Sequence, residues 1–384
     1  MPLVLWVLIR QDALWSQRFA GTAMFLSGVA FAHVMGVELE ELFIRAPIII
    51  AYLACVGYVV AASLPALRRM GRIGQTGILL FAYLGLPAWA GESGYLAPTI
   101  AFAWERMLAA YSLCQTPDLT STEQDVRQHA VFLALDPSLV FHLRARPITD
   151  DSWKRRGIAM ARVGFGCAAL AADGMISQRF PALLVVPGVE SLWAPLGTLH
   201  VAIFSLATFV ALYLAHSGVA HVQIGFARVT GMRLQERYHF PFVAGSPLEF
   251  WRRWNIWMGV WIKSYVFTPT ARSLQRHRVP SGASLALGVL VSFIVTGALH
   301  AIATIAILPS ATGVQIGVGQ VLAFASIGCV AILWEGLRRI ARWALPERLL
   351  RIVGWLFSHV MFASVFLFVV WMFHLLISGS WQPF

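Results

Sequence analysis

His300 lies deep in the apolar run Ala283–Leu308 and is the ionisable side chain in it. An ionisable group at bilayer depth is expensive to hold there and marks a functional site by default. An imidazole can take a proton from a hydroxyl, and apolar burial favours the neutral ring that can do so. Shortly upstream, Ser246–Pro269 reads SPLEFWRRWNIWMGVWIKSYVFTP, with Arg252, Arg253, Asn255 and Lys263 set among tryptophans. The amide of Asn255 can orient an acyl carbonyl or donate to the charge that develops on it. A base for a hydroxyl and a polariser for a carbonyl are together what acyl transfer needs.

The elements that must position these groups follow from periodicity. Read as one helix at about 100° per residue, Glu249–Tyr265 places Arg252, Asn255, Gly259 and Lys263 on one face. Trp254, Trp257, Met258 and Trp261 fall on the other, giving a narrow polar stripe with an aromatic back. Ser246, Pro247 and Glu249 read as N-cap, first-turn proline and capping-box glutamate, and Pro269 is expected to end the element. Thr296 and Thr304 stand four residues either side of His300, and either is expected to hydrogen-bond the ring.

Other polar residues carry weaker signals. His216 and His221 flank Ser217-Gly218 and are read as structural before tunnel-lining; His200, His359 and His374 are read as helix–helix hydrogen-bond partners. Glu105-Arg106 is read as an ion pair with another span before a part of a substrate path. The sequence has no GxSxG, no HExxH and no phosphate loop, so a covalent serine mechanism and a metal hydrolase lack support. Cys55, Cys114, Cys167 and Cys329 show no metal spacing and read as small apolar core residues.

Composition sets the surroundings. Of 384 residues, 58% are hydrophobic and 12% charged, against about 25% charged in a soluble domain, and the mean hydropathy is +0.71. The expected fold is all-α, a polytopic integral membrane protein with about nine transmembrane helices plus re-entrant or interfacial helices. The spans are Phe19–Gly36, Ala46–Pro65, Ile73–Ala90, Leu96–Leu113, Ile158–Ile176, Ala194–His216, Ala283–Leu308, Val314–Gly336 and Ile352–Ser378. Pro181–Val189 is apolar but short and proline-broken, and suits a re-entrant or interfacial piece; Met1–Ile9 suits an interfacial helix rather than a cleaved signal. In the long loop Gln115–Lys154, Val131–Pro147 reads as an interfacial or re-entrant helix, with breakers at Asp136-Pro137 and Arg146-Pro147.

The net charge is +11, but the basic residues gather in alternate loops. Arg228–Arg278 carries nine basic and two acidic side chains, whereas Gly91–Gly94 carries only Glu92. The positive-inside rule accounts for this without nucleic acid and puts the N-terminus, Gln115–Lys154 and Arg228–Arg278 in the cytoplasm. The C-terminal SGSWQPF is then outside.

The run Ser217–Pro269, SGVAHVQIGFARVTGMRLQERYHFPFVAGSPLEFWRRWNIWMGVWIKSYVFTP, followed by His300 in the next span, resembles the membrane-bound O-acyltransferase (MBOAT) family. It is closest to the bacterial branch of alginate O-acetylases and teichoic-acid D-alanyl transferases. That branch reads roughly SGYSDMAIGLARMFGF, then FWRRWHISLSxWLRDYxYxPLGG, then LWHG. Three departures mark this chain: Asn255 for the branch's histidine, as lipid- and protein-acylating members often have; Leu299-His300-Ala301 for WHG; and Thr270-Ala271 for LGG. The clear match is Ser217–His300, with an echo at Phe132–Pro147.

The resemblance implies one integral membrane acyltransferase domain over 1–384, in the inner membrane and multi-pass. It implies catalytic His300 and Asn255, with Arg252, Trp251, Trp254, Gly259, Lys263 and Tyr265 toward donor and substrate. No bound cofactor or metal is implied; the donor is an acyl thioester on coenzyme A or an acyl carrier protein. The acceptor is a hydroxyl of a cell-envelope polysaccharide, a lipid or a small molecule, with an extracytoplasmic or carrier-protein partner. The alternatives are a membrane transporter and a catalytically inactive scaffold of the same fold.

Overall fold

A computed structural model describes residues 39–85, 96–116, 123–136, 139–140, 143–144, 146–148, 153–179, 198–229, 231–307, 311–359 and 361. Met1–Ile9, Phe19–Gly36, Pro181–Val189, His374 and the C-terminal SGSWQPF lie outside these residues, as does the side chain of His200. The chain forms two compact units, Met1–Gly174 with Leu214–Glu236, and Met175–Tyr213 with Arg237–Phe384.

The first unit holds α1 (Leu39–Ala62), α2 (Leu64–Arg69), α3 (Arg72–Leu80) continuing as a π-helical turn Phe81–Gly85, α4 (Leu96–Cys114) and α5 (Glu123–Leu135). It also holds β1 (Arg146–Pro147), most of α6 (Trp153–Arg179), the second part of α7 (Thr198–Val229) and β2 (Met232–Arg233). Of the residues Glu105-Arg106, the arginine meets backbone carbonyls. The buried Arg106 donates through Nη1 to the carbonyls of Phe132 and Asp136 at the end of α5. Arg68 does the same for α4, through Thr116 O at 2.6 Å. A guanidinium satisfies carbonyls that a helix C-terminus leaves bare, where the macrodipole favours a cation.

Arg146-Pro147 is not a simple breaker. It pairs antiparallel with Met232–Arg233, so a minimal strand pair interrupts the all-helical pattern. Proline biases its predecessor toward extended backbone, and Ile148 N donates to Gly231 O at 2.7 Å beside it. In the same unit α6 and α7 approach through glycines: a Cβ on Gly166 would lie 2.7 Å from Gly218 O, and one on Gly225 2.7 Å from Val163 Cγ2. Small residues permit such approach between apolar helices. Among the cysteines only Cys114 is buried; Cys55, Cys167 and Cys329 are exposed on their helices, which corrects the core expectation.

The second unit runs through a 3-10 turn Pro241–Val243, α8 (Pro247–Arg253), α9 (Ile256–Ile262), a π-helical turn Lys263–Phe267, α10 (Thr268–Arg276), α11 (Ser281–Ile307), α12 (Ala311–Ala341) and α13 (347–359). Two stretches, Ser281–Ala306 in α11 and Gly313–Ala341 in α12, are long and apolar enough to cross a membrane. Their most apolar windows are 22% and 39% buried, and Leu285, Leu287, Ile294, Val318 and Leu322 are exposed. A core helix of a soluble domain would hide such faces, whereas lipid covers them at no cost. The two helices pack closely at Gly297, where a Cβ would lie 2.8 Å from Val321 Cα, and at Gly328, where it would lie 3.1 Å from Phe293 Cβ. Every expected span with described residues is helical there, save a turn at Ser63 within Ala46–Pro65.

Candidate active site

Asn255 and His300 both lie in the second unit. The element carrying Asn255 starts as the sequence predicts. Ser246 Oγ accepts from Glu249 N at 3.2 Å, with Pro247 in the first turn. Glu249 Oε2 reaches back to Gly245 N at 2.9 Å, and Oε1 accepts from Arg253 Nε and Nη2 at 2.9 and 2.7 Å. Burial pushes this carboxyl up, but the Gly245 N–H and the Arg253 guanidinium outweigh it and hold Glu249 below the usual carboxylate range.

The single helix expected over Glu249–Tyr265 is broken. Trp254 is extended, and Asn255 is left-handed at φ 37°, ψ 63°. The segment just upstream closes the gap: His239 N donates to Arg253 O at 2.9 Å, and Ile256 N donates to Arg237 O at 2.7 Å. These bonds satisfy a carbonyl at the end of α8 and an N–H at the start of α9, groups a break would otherwise strand. Asparagine is among the few residues that tolerate the left-handed region. The polar stripe is therefore not continuous: Asn255 sits at the break, and Gly259 and Lys263 follow on a separate helix. Pro269 does not end the element either. It lies in the first turn of α10, because the π-helical turn Lys263–Phe267 resets the register before it.

Arg252, Gly259 and Lys263 are exposed, while Trp251, Trp254, Asn255 and Tyr265 are half-buried. The aromatic back is real for Trp257, Met258 and Trp261, all buried, and Tyr265 packs edge-on against Trp261 at 5.4 Å. Trp254 does not join them. It stacks on Phe250 at 5.6 Å and meets Tyr238 at 5.3 Å. Phe250, 1% exposed, seats α8 against Phe293 of α11 and Ile327 of α12. Trp251 packs on the same pair of helices, 5.5 Å from the Phe293 ring and 5.8 Å from that of Phe324.

The same α12 ring, Phe324, also meets the histidine. The His300 ring lies 4.8 Å from Phe324, so Trp251 and His300 share one aromatic neighbour. His300 Nδ1 lies 2.8 Å from the carbonyl oxygen of Thr296. A carbonyl only accepts, so Nδ1 carries the hydrogen and Nε2 presents its lone pair. Thr296, one of the two expected partners, thus holds the ring through its carbonyl, while Thr296 Oγ1 donates to Ser292 O at 2.8 Å and Thr304 Oγ1 to Gln320 Oε1 at 3.0 Å. His359 makes the same kind of bond, from Nδ1 to Trp355 O at 2.7 Å in its own helix rather than to another helix. An i−4 carbonyl therefore sets a tautomer without marking a catalyst. His300 differs in its neighbour, Phe324, which also packs on Trp251, whereas His359 lies against Phe242 and Trp355.

The Asn255 amide meets a residue that sequence reasoning missed. Arg237 Nε donates to Asn255 Oδ1 at 3.2 Å, and its guanidinium lies 5.2 Å over the Trp257 ring. Arg237 falls in an irregular stretch with no periodicity, so no spacing links it to Asn255. In the first unit, Glu236 accepts from Arg162 and from Arg228, the latter at 2.7 Å. Burial raises its carboxyl, and the two guanidinium groups outweigh that and hold it low. His221 packs edge-on to Phe165 at 4.9 Å.

The class this chain resembles is the membrane-bound O-acyltransferases, although no family model matches it. A probable alginate O-acetylase of Azotobacter vinelandii is 28% identical over 152 residues, 38% of this chain and 30% of that protein. One from Pseudomonas fluorescens is 28% identical over 196 residues, 47% of this chain and 39% of the relative. A probable long-chain-alcohol O-fatty-acyltransferase of Arabidopsis thaliana is 37% identical over 71 residues, 18% and 20% of the two chains. This chain thus spans well under half the length of these relatives.

Proposed function

We propose that the protein is a membrane-embedded O-acyltransferase with His300 as general base and Asn255 as the group that polarises the acyl carbonyl. The observation that supports this is that His300 and Trp251 of the motif helix both pack on Phe324, and that the bond from Nδ1 to Thr296 O makes Nε2 the basic nitrogen of the neutral ring. The hydroxyl of the acceptor attacks the carbonyl carbon of an acyl thioester while Nε2 takes its proton. Asn255 Nδ2–H donates to the carbonyl oxygen as it gains negative charge. The tetrahedral intermediate collapses, the C–S bond breaks, and the thiolate leaves with the proton held by the imidazole. The products are an ester and a thiol.

The donor is an acyl group on coenzyme A or an acyl carrier protein, approaching from the side that loop charge makes cytoplasmic; Arg252 and Lys263, both exposed, would meet its anionic carrier. The acceptor is a hydroxyl of a cell-envelope polysaccharide, a lipid alcohol or a small molecule; the relatives named above act, by name, on alginate and on long-chain alcohols. The chain is read as one integral domain crossing the inner membrane about nine times, with a carrier or extracytoplasmic protein as partner. Membranes bearing the chain, given a thioester labelled in its acyl group, should move label into a hydroxyl-bearing fraction. No label transfer with any of the three acceptor classes would turn the assignment toward a transporter.

A further inference from the structure

Resting on this proposed function, we infer that Arg237 is a positioning residue for Asn255: it takes the amide oxygen and so dedicates the Nδ2 hydrogens to the acyl carbonyl. An amide can turn over, and its two ends do opposite chemistry. Here the choice is forced. Arginine has five N–H donors, no acceptor and no neutral form at working pH. The amide atom 3.2 Å from Arg237 Nε is therefore the oxygen.

Three further features hold the pair. Arg237 is 8% exposed. Its carbonyl accepts from Ile256 N at 2.7 Å, which locks residue 237 beside the break. Its guanidinium lies 5.2 Å from the centre of the fully buried Trp257 ring, a cation–π placement that fixes its plane. The Asn255 side chain makes no capping bond to α9, although it occupies the N-cap position. A cation on the amide oxygen also draws charge from the nitrogen and makes its N–H groups stronger donors. Arg237 acts through Asn255 and need not touch the substrate.

The test is a double-mutant cycle on the full chain in membranes, with kcat and the KM for the thioester measured separately. Arg237→Gln should lower kcat by about 10²-fold, the cost of a misplaced group, and leave KM within about twofold, since ground-state binding is untouched. In an Asn255→Ala background the same change should cost almost nothing further, because there is no amide left to orient. Arg237→Lys, which keeps the charge but not the planar fork, should restore little. If Arg237→Gln proves unstable, Asn255→Asp decides. Its carboxylate keeps the Arg237 partner and folds, yet has no N–H to offer, and should be as inactive as Asn255→Ala. Equal losses for Arg237→Gln in both backgrounds, or an active Asn255→Asp, would overturn the proposal while leaving the acyltransferase assignment intact. An unmutated protein that transfers no acyl group would overturn both.

Discussion

Asn255 has two jobs that substitution can separate. Its backbone is left-handed at φ 37°, and its side chain meets Arg237. Asn255→Gly removes the amide and keeps a residue at ease in that backbone; Asn255→Ala removes the amide and adds strain. A left-handed residue with a Cβ costs about 1–2 kcal/mol, so the alanine variant should be less stable than the glycine variant by about that amount. Both lose one bond to a charged donor, so that loss cancels in the comparison. Activity should not follow stability. If Nδ2 donates to the developing oxyanion, both variants should lose about 10²–10³-fold in kcat. Thermal unfolding of the purified chain in detergent reads the first quantity, and acyl-label transfer in membranes the second. A glycine variant with near-normal transfer, beside a crippled alanine variant, would show that residue 255 serves the backbone alone and would refute its chemical role.

Three other outcomes follow from the structure. A Cβ on Gly297 meets the backbone of α12 at 2.8 and 3.0 Å, whereas one on Gly336 meets nothing within 4 Å. Gly297→Ala should therefore cost about 1–3 kcal/mol in thermal unfolding, and Gly336→Ala should be neutral or stabilise by up to about 1 kcal/mol. Glu249 is held below the ordinary glutamate value of about 4.3, so its contribution is present above that value and fades as pH falls below it. Unfolding followed down that window should be less acid-sensitive in Glu249→Gln than in the unmutated chain. If the orientation expected from loop charge holds, with Ser281 cytoplasmic and Ser380 outside, an impermeant thiol reagent should label Ser380→Cys and miss Ser281→Cys in whole cells.

Sequence and structure agree where one local signal dominates. The cap at Ser246, Pro247 and Glu249 is legible because it needs three residues at fixed offsets, and the structure forms it. Trp257, Met258 and Trp261 are legible as a buried face because α9 alone sets their spacing. Helical phase fails at Trp254 and Asn255, where a distant backbone decides: bonds to residues 237 and 239 offset the turns lost by breaking the helix. The same limit hid Arg237, whose role exists only through the folded loop. It also hid the carbonyl partners of Arg106, since backbone acceptors leave no mark on residue spacing, whereas Thr296, one helical turn before His300, is legible as its partner. The pairing of Arg146-Pro147 with Met232–Arg233 is likewise a long-range event that a two-residue pattern cannot announce.

The central claim is that His300, and not another half-buried histidine, removes the acceptor's proton. His359 is the natural control, since it lies in the same unit and makes the same i−4 bond through Nδ1. Transfer of acyl label should be measured in membranes carrying His300→Ala or His359→Ala at matched levels of folded protein. His300→Ala should lose about 10²–10⁴-fold, the usual contribution of a general base, and His359→Ala should stay near the unmutated rate. Full transfer by His300→Ala, or its loss in His359→Ala alone, would contradict the account.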